Sequence, residues 1–131
     1  MIVFSVSTVP RSQREPVLPA GQGGRALAQV QQLQELVEQR FRTQPSVADL
    51  AACIGITPTQ LNRVCRKVLG HSALAVLHAR LGLEAQRELA YTTLSVKQVA
   101  LGLGFADAGY FTRFFQRVTG YTPGAWRASR R

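Results

Sequence analysis

The chain has 131 residues, the length of one domain or of one domain with a tail. A hydrophobic content of 46% is enough for a packed core and excludes a disordered polymer. Sixteen Lys and Arg against seven Asp and Glu give a net charge of +9, the balance of a small domain that meets nucleic acid or another anionic surface.

Residues 1–25 read differently from the rest. Val3, Ser5, Ser7 and Val9 alternate weakly, as in a single strand, but no partner strand follows. Pro10, Pro16, Pro19, Gly21, Gly23 and Gly24 then crowd one stretch, which is the composition of a linker. The start lacks a basic leader and a cleavage site, so it is not read as a signal peptide. No apolar run reaches the ~18 residues of a membrane span. The expectation is that residues 1–25 trail from an absent N-terminal domain, and that the chain is the C-terminal piece of a longer protein.

From Ala26 onward the periodicity is helical. Leu27, Val30, Leu33, Val37 and Phe41 share one face of a helix expected over 26–42. Ser46 caps a short helix carrying Val47, Leu50, Ala51 and Ile54, and Gly55 breaks it. Thr57, Pro58 and Gln60 form a capping box with proline at the first position, opening a helix that runs to about Val68 and ends at Gly70. A long helix is expected over about 73–91, with Leu77, Leu81, Ala85 and Leu89 four apart. Ser95 caps a short helix with Val96, Val99, Ala100 and Leu103, broken by Gly104. Asp107 caps the next helix, to Val118, before Gly120. Pro123 opens a last helix through Trp126.

Two stretches repeat. Val47, Leu50, Ala51, Ile54 and Gly55 recur 49 residues later as Val96, Val99, Ala100, Leu103 and Gly104. Leu61, Arg63, Val64, Cys65 and Gly70 recur 50 residues later as Phe111, Arg113, Phe114, Phe115 and Gly120, with one residue inserted near Ala106. Each copy is a short helix, a glycine turn and a second helix, the plan of a helix-turn-helix. Ile56 and Phe105 plug the turns. The second helices leave one face outward: Thr59, Gln60, Asn62, Arg63, Arg66 and Lys67 in the first copy, and Gly109, Thr112, Arg113, Gln116 and Arg117 in the second. An outward face of Arg, Lys and Gln is usually only solvated. Two copies in register, both with Arg at the same place and on a chain of charge +9, favour DNA. Asn and Arg early on such a helix suit adenine and guanine edges in the major groove, and later basic residues suit phosphates.

The run GFADAGYFTRFFQRVTGYTPGAWR (104–127) resembles the signature of the AraC/XylS family of bacterial transcription regulators. The matching positions are Gly104, Phe105, Asp107, Tyr110, Phe111, Arg113, Phe114, Phe115, Gly120, Thr122, Pro123 and Arg127, with Arg80, Leu81 and Ala85 on the long helix. The resemblance covers about residues 30–127. It implies an all-α fold of two helix-turn-helix subdomains joined by a long connecting helix, about seven helices in all. The boundaries are then 26–72, 73–92 and 93–127 within a DNA-binding domain at 26–131, with 1–25 the tail of the effector domain. It implies double-stranded DNA as partner, two recognition helices in successive major grooves, an activator's contact with RNA polymerase, and a bacterial cytoplasmic location in the nucleoid. Carried over by position, Thr59, Asn62, Arg63, Thr112 and Arg113 read bases, and Gln60, Arg66, Lys67, Gln116 and Arg117 grip the backbone. Ala108 and Gly109 offer little to bases, so the second helix is expected to read weakly. Cys65 stands where an aromatic is common and Ala73 where proline is common. The effector would bind the absent N-terminal domain, and the chain alone is expected to be a monomer.

No catalytic group, metal site or cofactor is expected. Cys53 and Cys65 are too far apart for a zinc pattern and read as small buried residues. His71 and His78 complete no metal site, and Ser72 beside them has no acid partner. Gly21 to Ala26 lacks the spacing of a phosphate loop. Asp49, Glu84 and Glu88 read as isolated surface carboxylates, and Trp126 as the plug closing the second subdomain. The competing readings are a non-specific architectural nucleic-acid binder and a helical module that meets an acidic protein.

Overall fold

The computed structural model describes residues 22–130. The strand expected in residues 1–9 lies outside them, as does most of the linker stretch. The described residues form seven α-helices and one 3-10 turn: α1 (Gln22–Arg40), the turn (Phe41–Thr43), α2 (Val47–Ile54), α3 (Pro58–Leu69), α4 (Ala73–Tyr91), α5 (Val96–Gly102), α6 (Ala108–Thr119) and α7 (Pro123–Arg130). The expected all-α fold of two helix-turn-helix units about a long helix is the fold observed.

Local chemistry sets most boundaries. Ser46, Thr57 and Ser95 accept from the backbone N–H three residues on, and Asp49, Gln60 and Gln98 return the bond to the cap. Asp107 caps α6 from one side only. Helix α1 begins at Gln22, four residues before the expected start. Glycine weakens a helix by about 1 kcal/mol per residue without forbidding it, so Gly23 and Gly24 fit its first turn. Helix α1 also stops two residues early, at Arg40, where the chain tightens into the 3-10 turn Phe41–Thr43 ahead of Pro45. There Gln44 takes φ 48°, the one positive φ of a non-glycine among the described residues. Helix α7 runs on past Trp126 to Arg130.

The two turns share their glycine and the bond after it, although the second is one residue longer before its cap. Gly55 and Gly104 stand at φ 88° and 87°, and the N–H after each returns to the helix: Ile56 to the Ala51 carbonyl and Phe105 to that of Ala100, both at 3.0 Å. Leu50, Ala51, Leu61 and Cys65 are buried, and so are Val99, Ala100, Phe111 and Phe115. Helix α4 packs against α1 and α3 on one side and against α5, α6 and α7 on the other. Its Leu77, Leu81, Ala85 and Leu89 join both halves in one continuous core. At Gly82 the crossing with α6 is so close that a Cβ would stand 3.0 Å from Val118 Cγ1.

Two expectations are corrected. Cys65 is buried, but Cys53 is exposed, on the outer face of α2, where Arg40 Nη1 lies 3.3 Å from its sulfur. Glu84 and Glu88 are not isolated: Glu84 binds Arg80 and Arg42, and Glu88 binds Arg42. Asp49 is part of the capping box of α2. Single-helix patterns cannot show partners that arrive from other elements.

Candidate nucleic-acid interface

Helices α3 and α6 are held by their apolar faces, and this decides what they present. In α3, Leu61 and Cys65 point into the core, which turns Thr59, Gln60, Arg63, Arg66 and Lys67 to solvent. In α6, Phe111, Phe114 and Phe115 are buried, which exposes Gly109, Tyr110, Arg113, Gln116 and Arg117. Helical spacing puts Arg63 with Arg66 and Lys67 on one stripe, and Arg113 with Gln116 and Arg117 on the other.

Two of the five candidate base-reading side chains are engaged within the protein. Asn62 is half-buried, and its Oδ1 accepts from the Ala73 N–H at 3.0 Å, capping the start of α4. Thr112 is half-buried and donates its hydroxyl to the Ala108 carbonyl at 2.8 Å on its own helix. Gln60 is partly committed as well, since its Oε1 holds the Thr57 N–H. Thr59, Arg63 and Arg113 remain outward. Arg113 lies 5.9 Å from the Tyr110 ring centroid, and its Nη1 comes close to the space that Gly109 leaves empty. Arg117 stands over the Phe114 ring at 5.8 Å.

The polar groups behind these helices are the part that sequence patterns missed. Arg80, buried on α4, makes a forked pair with Glu38 at 2.9 and 3.1 Å and reaches Glu84 at 2.9 Å. Burial works against its charge, but the hydrogen bonds it donates to Glu38 and Glu84 outweigh this and hold its pKa above the ordinary value. The Arg80 hydrogen bond, opposed in part by burial, holds the Glu38 carboxyl below its ordinary value. Arg127 closes the far end of α4, donating to the Leu89 carbonyl at 2.9 Å and the Thr92 carbonyl at 3.4 Å. Trp126 docks α7 by donating to the Gln86 carbonyl at 3.3 Å and packing on Phe115. Arg127 was within reach of the sequence through the family signature. Arg80 was within reach in the same way, and Arg80 with Glu84 is an i,i+4 pair on one helix, but the Glu38–Arg80 link joins α1 to α4 across 42 residues and left no local signal.

Among the described residues no cluster of His, Cys, Asp and Glu could hold a metal ion, and no helix is long and apolar enough to cross a membrane.

A helix-turn-helix domain family matches residues 50–129. The arabinose operon regulatory protein of Escherichia coli is 30% identical over 82 residues, which is 63% of this chain and 28% of that protein. The chain therefore spans under a third of this relative. The solved DNA-binding domain of AdpA, bound to a target DNA, is 31% identical with a TM-score of 0.67, over 75% of this chain and 91% of that one. An AraC-type DNA-binding protein of Chromobacterium violaceum shares the fold, with a TM-score of 0.73 at 24% identity over 83% of this chain and 96% of that one. With the double helix-turn-helix, the matched family and these neighbours in agreement, the chain belongs to the AraC-type helix-turn-helix family.

Proposed function

We propose that the chain is the sequence-specific DNA-binding part of a transcription regulator, with α3 and α6 as its recognition helices. The supporting observation is the repeat itself. Two capped helices expose the same arginine, Arg63 and Arg113, on faces that the core does not use. A domain that only grips phosphates has no need of matched arginines early on two helices. Thr59, Arg63 and Arg113 face the bases; Asn62 offers only its amide N–H, and Thr112 helps to orient α6. Gln60, Arg66, Lys67, Gln116 and Arg117 meet phosphates. Residues 1–25 lead from an effector domain, and the parent protein is a transcription activator that contacts RNA polymerase in the bacterial nucleoid.

A random-library selection on the purified chain at near-physiological salt tests this. The expected product is a site with two boxes about one helical turn apart. Arg63→Ala should then cost about 1–3 kcal/mol at that site and relax one base position. Arg117→Ala should weaken all sequences alike and lower the salt slope by about 1. Binding without any enriched sequence would leave a purely architectural role.

A further inference from the structure

The corner between α1 and α2 belongs to the first unit, yet it is bonded to the second. Gln44 Nε2 donates to the Leu103 carbonyl at 2.8 Å, and Arg42 Nη1 to the Gly102 carbonyl at 3.1 Å. Both carbonyls lie at the end of α5, in the turn that leads into α6. The other arm of Arg42 is anchored on α4, at 2.8 Å from Glu88 and 3.2 Å from Glu84. At Gly104 the two backbones meet so closely that any Cβ would collide with the Arg42 carbonyl oxygen. In the matching turn of the first unit, a Cβ at Gly55 would enter open space, so the helix-turn-helix plan does not itself require this contact. Gln44 also accepts a left-handed backbone to make it.

We propose that Arg42 and Gln44 are positioning residues that lock the two recognition helices at one fixed separation and angle, and so make the protein selective for the spacing between its two DNA boxes. The lock rests on the DNA-binding reading for its use. The physical argument is that α4 joins the halves through one shared core, and a second, polar strut from the 3-10 corner to the α5–α6 turn closes a ring around it. A ring of packed elements cannot open by rotating about one joint. The strut holds the turn immediately before α6, so it fixes where α6 points. Arg42 suits the task because its planar fork reaches the carbonyl with one nitrogen and the two carboxylates with the other, whereas a lysine has only one nitrogen to place.

The test compares the selected site with the same site carrying one extra base pair between the boxes, which rotates one box by about 35° about the helix axis. The unmodified chain should lose at least about tenfold in affinity on the lengthened site. Gln44→Gly keeps the left-handed backbone and removes the amide, while Arg42→Lys keeps the charge and removes the fork. Both should bind the original site nearly as before and lose most of the spacing penalty. An unchanged penalty in both variants overturns the lock, and a purely electrostatic role for residue 42 would give that result. Backbone NMR relaxation decides the matter apart from DNA. In the unmodified chain, residues 47–70 and 96–120 should share one tumbling time, and in Arg42→Ala/Gln44→Gly they should separate. Independent tumbling of the two units in the unmodified chain would overturn the proposal even if a bipartite site were found. Shared tumbling without any enriched DNA would overturn the DNA reading and keep the strut.

Discussion

Ala73 has a backbone N–H that a proline in its place would lack, and Asn62 is the side chain that takes it. The second copy solves the same junction the other way, with Pro123 at the start of α7 and Thr112 bonded back to its own helix. Positions 62 and 73 therefore form one unit. Asn62→Thr alone strands a half-buried N–H and should cost about 1 kcal/mol. In an Ala73→Pro background the donor is gone and the cost should largely vanish, a coupling of about 0.5 kcal/mol or more. Ser72, at φ −75° and ψ 165°, already has the backbone that precedes a proline. Denaturant melts of the four proteins decide this, and strictly additive costs would count against the pairing. Periodicity places Asn62 on the outer stripe of α3, but it is blind to a donor eleven residues away on another helix. Arg63 is exposed and stands where the pattern puts it. Cys53 and Cys65 teach the same lesson, since residue type suggested burial for both and only the register of each helix separates them.

The capped helix starts were the most legible elements. Ser46, Thr57, Ser95 and Asp107 announce their helices, because a cap works through a hydrogen bond only three residues long. The two turn glycines were legible too, but not the difference between them. Both stand at a positive φ, which costs any other residue about 1–2 kcal/mol. Gly55→Ala should lose that much and no more, because its Cβ would enter open space. Gly104→Ala must also push back the Arg42 backbone, so it should lose clearly more, about 3 kcal/mol or above. Thermal or urea melts of the two variants make the comparison, and equal losses would show that the corner yields freely. The closeness of α4 and α6 at Gly82 was equally hidden, since a glycine inside a helix reads locally as a weakness.

In the molecule as a whole, acid should act through two groups in the same direction. Burial, with the nearby Arg117 charge, pushes the His78 pKa below its ordinary 6.5, so the fold favours the neutral ring against Phe114. The lower pKa in the fold means that the unfolded chain binds the proton first. This stability is complete above pH 6.5 and drains away as the pH falls below it toward the folded value. Glu38, held below its ordinary 4.5, keeps its contribution above that pH and loses it below. The urea midpoint should therefore drop between about pH 7.5 and 5.5, and His78→Phe should flatten that drop; an unchanged slope would clear His78. The helical periodicity and the repeat, with the family resemblance, were enough to read the architecture, while the ion pairs that join its parts lie 42 to 46 residues apart and left no mark in the sequence. The halves also differ in material. The first half packs Leu, Val, Ala and Cys with Phe41 as its buried aromatic, and the second packs Phe105, Phe111, Phe114 and Phe115 with Trp126 against them. Trp126 is the only tryptophan in the chain, so its fluorescence is a built-in probe of the second half alone. Far-ultraviolet dichroism sees every helix. If the two optical signals change together on unfolding, the halves melt as one cooperative unit; if emission changes apart from ellipticity, they do not.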